Sequence, residues 1–307
     1  MPVTRVLVTG ASGFIGRHVC RALADRGATV RCFVRAQSDL SALPLVSFEV
    51  AHGDITDAIS LSNALTEVDA IVNLVDISTQ TTGRSFVSVH SEGTRNVIAA
   101  MAERKVERLV HVSALGPRSG DTSAYARSKM GAEEIVMRSN TAWTVFRPSL
   151  VHGPGGELIS TVASMLRAPW PVPLVGDGSQ KMQPVYVNDL AQLVVRSVLD
   201  GIGIGESFDV GGPDVVTFEE FVQALSVAMR GAPHAMAHVP VGMARMAARL
   251  LEAVLDHPPL TRDQIAMIGE TMTCDPAPVS ERFGVALTPL SAALAEYAPS
   301  LRAGATA

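Results

Sequence analysis

Tyr125 and Lys129 stand four residues apart in a stretch that reads as helix, so both side chains leave one face. An ammonium beside a phenol lowers the phenol's pKa, and the same ammonium can hydrogen-bond the hydroxyls of a bound ribose. Such a phenol gives a proton to a substrate oxygen or takes one from it. Ser113, twelve residues earlier at the carboxyl end of a predicted strand, sits at the sheet edge where ligands bind and can hold the same oxygen. Near the start of the chain, Gly10, Gly13 and Gly16 recur three apart between the apolar run Val6-Leu-Val8 and a helix expected over 17–26. The first glycine permits a tight turn, the second the close approach of a pyrophosphate and the third close helix packing. The helix's free N-terminal amides and positive dipole end make an anion site. Strand, glycine turn and helix in this order are the context a dinucleotide fingerprint requires, so Gly10, Ser12, Gly13, Phe14, Ile15 and Gly16 are expected to hold a cofactor.

Arg35 ends the second predicted strand, 28–35, at the position that decides cofactor preference in this architecture. An acidic residue there would bind ribose hydroxyls, whereas a guanidinium can hold a 2′-phosphate, so NADP(H) is favoured over NAD(H). Asp54 and Ile55 would lie beside the adenine, and Asn73, Leu74 and Val75 at the cofactor's edge. Four histidines have other readings: His18 and His111 as packed groups, His90 and His152 as polar groups in a pocket. No cluster of His, Cys, Asp and Glu has metal-ligand spacing, and Glu133-Glu134 reads as a solvated helix face, so no metal is expected. A Gly-x-Ser-x-Gly nucleophile elbow is absent too.

The elements that must position these groups alternate. Short apolar runs at 47–51, 68–74, 107–113 and 143–147 read as buried parallel strands, with helices between them: one capped by Asp57, one over 84–104 that tolerates Gly93, and one starting at Ser123. The alternation predicts an α/β, Rossmann-type doubly wound parallel sheet with right-handed crossovers over 1–150. Past Val151 the texture changes to Gly153-Pro-Gly-Gly156 and Pro169-Trp-Pro-Val-Pro173, which marks a smaller, mainly helical substrate lobe over 151–307. Within it, 184–201 is expected to pack back on the first domain as an extended piece and a helix capped by Asn188 or Asp189. Further helices are expected over 217–230, 241–255 and 261–271. The loop 116–122 is polar, as at an active-site mouth.

Composition narrows the function classes. The net charge of −5 and the absence of a Lys/Arg cluster leave no electrostatic footprint for nucleic acid. Three cysteines without paired spacing fit a reducing compartment, and neither a leader sequence nor a membrane-spanning run is read, so a cytoplasmic protein is expected. Val239, Met243, Met246, Ala247, Leu250, Leu251 and Val254 recur at helical spacing. The stripe reads as core filling, as an apolar wall that with Trp170 would accept a hydrophobic, quinone-like or isoprenoid substrate, or as a peripheral membrane contact.

Taken in order, Thr9-Gly-Ala-Ser-Gly-Phe-Ile-Gly16, Gly53-Asp-Ile55, Ser113, Tyr125-Ala-Arg-Ser-Lys129 and Arg147-Pro-Ser-Leu-Val-His-Gly-Pro154 resemble the extended and atypical short-chain dehydrogenase/reductases over nearly the whole chain. His111-Val-Ser-Ala-Leu-Gly116, Gln183-Pro-Val-Tyr-Val187, Gly211-Gly-Pro213 and Pro258-Pro-Leu-Thr-Arg-Asp-Gln264 resemble the nucleotide-binding accessory subunit of respiratory complex I and its free-standing bacterial relatives. The resemblance implies NADP(H) in the glycine turn, a catalytic set of Ser113, Tyr125 and Lys129, and backbone at Pro148, Leu150 and Val151 near the nicotinamide. His90 stands where enzymes acting on nucleotide sugars usually carry Asn, which disfavours sugar-nucleotide epimerase chemistry. Three functions follow: an NADP(H)-dependent oxidoreductase acting on a small carbonyl or alcohol, a non-catalytic nucleotide-binding or redox-sensing module, and an isomerase or epimerase using transient oxidation. Neither the substrate nor the oligomeric state is legible at this level.

Overall fold

The computed structural model describes residues 3–43, 48–81, 83–116, 123–254, 265 and 271–303. Seven parallel strands form one sheet: β1 (Arg5–Thr9), β2 (Thr29–Val34), β3 (Phe48–His52), β4 (Ala70–Asn73), β5 (Arg108–Val112), β6 (Ala142–Pro148) and β7 (Glu206–Val210). Their spatial order is β7-β6-β5-β4-β1-β2-β3. The chain winds outward from β1 to β3, returns to the other side of β1 with β4, and winds outward again. The carboxyl ends of β1 and β4 therefore border a crevice at the point where the winding reverses, which is where ligands bind in open α/β sheets.

The apolar runs explain why both faces are covered. Val6 and Val8 point to one side of β1 and Leu7 to the other, and all three are fully buried. Val6 and Val8 share a core with Val19 and Leu23 of α1 (Phe14–Asp25) and with residues of a later helix, Val187–Asp200. Leu7 shares another with Leu61 of α2 (Ala58–Ala64), Val97 and Met101 of α3 (Gly93–Arg104) and Val136 of α4 (Ala124–Met137). A third core joins α5 (Glu157–Arg167) to Phe221 and Leu225 of a helix spanning Phe218–Arg230, and to Leu290 and Leu294 near the C-terminus.

Several local expectations are corrected. The helix expected over 84–104 is two pieces, a π-helical turn over Val87–Glu92 and then α3, while Arg84 pairs with Thr81 in an isolated bridge. Gly93 is needed at the junction because a Cβ there would press on the Ile55 side chain at 3.0 Å. Neither Asn188 nor Asp189 caps the helix α6 (Val187–Asp200): Asp189 instead accepts from the Thr288 amide and hydroxyl at 2.7 and 2.9 Å. The return onto the main sheet runs beyond 184–201, because β7 pairs with β6. Glu133 is not a solvated residue. It is ion-paired with Arg147, and the two side chains are 12% and 8% exposed; only Glu134 is on the surface, paired with Arg138.

The stripe over 239–254 also divides differently. After α7 (Phe218–Arg230), helix α8 (Val241–Val254) buries Ala244 and Ala248 against Val175, Val239 and Ile265, while Met243, Met246 and Leu250 are exposed. The small residues face inward, and the larger methionines and Leu250 are left on the surface. The helix expected over 261–271 lies outside the described residues except for Ile265, which is helical, and Thr271, which is not; the loop expected over 116–122 lies outside them except for Gly116. Among the described residues no helix is long and apolar enough to cross a membrane.

Candidate active site

A cleft of about 450 Å³ opens at the carboxyl ends of β1, β2 and β4. Twelve of the residues expected to hold a cofactor line it: Gly10, Ser12, Gly13, Phe14, Ile15, Gly16, Arg35, Asp54, Ile55, Leu74, Val75 and Val151. Lys129, Pro148 and Leu150 are not on its wall, nor is Asn73. Asn73 is buried in a polar chain across the sheet, taking a hydrogen bond from Thr9 Oγ1 at 2.7 Å and giving one to His111 Nδ1 at 3.1 Å.

The turn before α1 fits a pyrophosphate. Gly10 has φ +71°, and a Cβ there would lie 2.9 Å from the Leu74 carbonyl oxygen; a Cβ on Gly16 would run into the Gly10 carbonyl. No side chain caps α1, so the first-turn amides, which lack intrahelical partners, are open to an anion. Arg35 follows β2 as an exposed residue on the cleft wall, with no hydrogen bond or ion pair to its guanidinium among the described residues. Asp54 is differently placed than its expected role requires. Its carboxylate is held by Arg84 at 2.5 Å and by the Thr56 amide and hydroxyl at 3.0 and 2.8 Å. Burial opposes its ionisation, but these partners outweigh that and lower its pKa.

Tyr125 and Lys129 leave the same face of α4, which starts where Ser123 accepts a hydrogen bond from the Ala126 amide. Both meet a carboxylate that no sequence motif marks. Asp76, just beyond β4 on the cleft wall, accepts the Tyr125 hydroxyl at 3.1 Å; its other oxygen lies 3.0 Å from His90 Nε2 and 3.5 Å from Lys129 Nζ. Lys129 also donates to the Val112 carbonyl at 3.2 Å, and His90 Nδ1 lies 2.8 Å from Ser128 Oγ. The expectation that Lys129 lowers the Tyr125 pKa is reversed: burial, the Asp76 charge and the hydrogen bond to it push the phenol well above its ordinary value. Protein packed round the Asp76 carboxyl opposes ionisation, yet Lys129 and His90 outweigh it and hold the group at about 2, although 43% of its side chain opens to solvent. Ser113 is buried just beyond β5, and its hydroxyl has no hydrogen-bond partner among the described residues. Neither Ser113 nor Tyr125 is on the cleft wall, but an orphan hydroxyl at the carboxyl end of a strand fits a group that takes a ligand's oxygen.

Of the two histidines expected in a pocket, only His90 joins this cluster. His152 is fully buried in an aromatic box of Tyr186, Phe221 and Tyr297, with Nδ1 3.1 Å from the Tyr297 hydroxyl. His111 is packed as expected. Burial lowers the two pKa values to about 4 and about 3. Because the folded state binds these protons less readily than the unfolded state, with its imidazole pKa of about 6.5, stability falls as pH drops through the window below 6.5. Each histidine is expected to add a slope of up to about 1.4 kcal/mol per pH unit there. Urea unfolding at pH 7, 6 and 5 tests this, with His152→Phe removing one proton's share of the slope; a wild-type midpoint indifferent to pH would refute it.

The sequence profile of the NAD dependent epimerase/dehydratase family matches residues 6–211. The chain is 27% identical over 230 residues to NADH dehydrogenase (ubiquinone) 1 alpha subcomplex subunit 9, mitochondrial, of Arabidopsis thaliana, a match covering 71% of this chain but only 56% of that relative. It is 30% identical over 256 residues to a 2-alkyl-3-oxoalkanoate reductase of Stenotrophomonas maltophilia, covering 75% of this chain and 76% of the relative. A ceramide reductase of Caulobacter vibrioides is also 30% identical, over 236 residues, with 76% and 71% covered. Among solved structures, dTDP-glucose 4,6-dehydratase of Bacillus anthracis in complex with NAD superposes with a TM-score of 0.76 over 96% of this chain and 95% of that one, at 18% identity, which speaks for the fold alone.

Proposed function

The chain belongs to the NAD-dependent epimerase/dehydratase family, and we propose that within it the protein is an NADP(H)-dependent oxidoreductase that reduces a carbonyl of a largely apolar substrate. The observation that carries this reading is the Tyr125 hydroxyl donated at 3.1 Å to Asp76, a residue of the cleft wall, with the Lys129 ammonium 3.5 Å from the same carboxylate. Gly10, Gly13 and Gly16 would hold the pyrophosphate, Arg35 the 2′-phosphate, and Leu150 and Val151 backbone the nicotinamide. The bound cofactor supplies a hydride. Tyr125 gives its proton to the oxygen of the reduced carbonyl, Ser113 steadies that oxygen, and Lys129 orients the ribose. Leu158 and Ile159 line the cleft and suit an apolar substrate, in keeping with relatives named for reduction of 2-alkyl-3-oxoalkanoate and ceramide.

The cofactor assignment is tested by calorimetric titration. NADPH should bind at least about tenfold more tightly than NADH, a difference of about 1.4 kcal/mol, and Arg35→Asp should invert the order by removing the guanidinium and adding repulsion toward a 2′-phosphate. Equal binding of both cofactors to the wild type would show that Arg35 does not read the phosphate. A screen of aliphatic ketones and 3-oxoacids, followed by loss of NADPH absorbance, tests turnover. A second reading, a nucleotide-binding module without turnover, is supported by the engagement of both Tyr125 and Lys129 with Asp76; tight cofactor retention with no consumption across the screen would favour it.

A further inference from the structure

Asp76 sits where the winding of the sheet reverses, and three groups from two different elements converge on its carboxylate. Tyr125 and Lys129 reach it from α4 and His90 from the π-helical turn. The arrangement is rigid: the His90 ring stacks on Phe86 at 5.8 Å between centroids, and the Tyr125 ring meets both edge-on at 5.6 Å. A carboxylate has only acceptors, so the bond to Asp76 Oδ2 obliges Tyr125 to keep its proton, and the pairing with Asp76 Oδ1 offsets the Lys129 charge that would otherwise favour a phenolate.

We infer that Asp76 is a positioning residue that sets the sense of proton transfer at this cleft, holding Tyr125 as a proton donor toward a carbonyl rather than as a base toward an alcohol. The inference rests on the reading of Tyr125 as the acid of the site. In the reductive sense, hydride adds to the carbonyl carbon as the cofactor is oxidised, the C=O pair moves to oxygen, and that oxygen takes the Tyr125 proton. The resulting phenolate, repelled by Asp76, recovers its proton from water. In the oxidative sense a phenolate must be present beforehand, and Asp76 disfavours it. Reduction is therefore independent of Tyr125 ionisation through neutral pH, while oxidation rises with pH.

The charged and titratable groups around Tyr125 among the described residues are Asp76 beyond β4, His90 on the π-helical turn and Lys129 on its own helix, while His111 on β5 acts on those three. Of these described groups only Asp76 carries negative charge. Its replacement by Asn keeps the size and removes that charge, leaving Lys129 unopposed.

The chain has three tyrosines, so ring-labelled tyrosine can be followed by carbon NMR and Tyr125 assigned with Tyr125→Phe. In the wild-type protein without cofactor, the Tyr125 signal should stay that of a phenol past the ordinary tyrosine pKa of about 10. In Asp76→Asn it should titrate at lower pH than in the wild type, and Asp76→Glu should restore the wild-type behaviour. A Tyr125 that ionises below about pH 10 in the wild type, or an Asn variant whose titration is unmoved or raised, overturns the inference. The wild-type arm decides even if the Asn variant fails to fold. NADPH calorimetry on the same samples separates the two failures: absence of binding refutes the proposed function, whereas an unmoved titration with intact binding refutes the role of Asp76 alone.

Discussion

Tyr125→Phe is expected to lower the rate of carbonyl reduction by on the order of 10²-fold or more while leaving the NADPH dissociation constant within about twofold. The phenyl ring keeps the edge-on contacts with Phe86 and His90, so the fold of α4 against the π-helical turn is preserved. What disappears is the hydroxyl, and with it the proton proposed to neutralise the developing alkoxide. Asp76 remains satisfied by Lys129 and His90, so the loss leaves no stranded charge. Steady-state kinetics on whichever ketone the screen identifies decides the matter, and a variant turning over at the wild-type rate would exclude Tyr125 as the acid. Lys129→Ala should differ by weakening cofactor binding as well, because it removes both the proposed ribose donor and the cation that opposes Asp76.

Gly16→Ala should damage the cofactor site and the fold together. The added methyl would meet the Gly10 carbonyl and the Ala11 backbone, and no flexible side chain is there to yield. Either α1 moves off the turn or the turn opens, at a cost of about 1–3 kcal/mol as for other overpacked sites. Both movements shift the first-turn amides that a pyrophosphate would use, so NADPH should bind at least about tenfold more weakly. Gly27→Ala makes a useful contrast: its φ of +79° is strained for alanine, but nothing lies within 4 Å of the new methyl, so it should lower stability without touching cofactor affinity. If Gly16→Ala bound NADPH as tightly as the wild type, the glycine turn would not be the pyrophosphate site.

The parts of this protein legible in the sequence are those set by neighbours in the chain. Val6-Leu-Val8 had to be a strand buried on both faces, Gly10 and Gly16 had to be glycines for a tight turn against a helix, and Tyr125 and Lys129 had to share a helical face, because each is a matter of local periodicity or backbone sterics. The same locality explains the Asp57 cap, which accepts from the Ile59 amide two residues on. Where the reading went astray, the deciding partner was distant in sequence. Glu133 looked solvated until β6 placed Arg147 against it, and Asn188 and Asp189 looked like caps until Thr288 arrived to claim Asp189. Asp76 carries no motif at all. It lies 14 residues from His90, 49 from Tyr125 and 53 from Lys129 in the chain, yet all three meet its carboxylate because β4 lies beside β5 and the helices that follow each strand pack over its end. Sequence spacing could identify an acid and an ammonium on one helix; only the tertiary fold could decide that a carboxylate stands between them, and charge neighbours at these distances set which way a phenol's pKa moves.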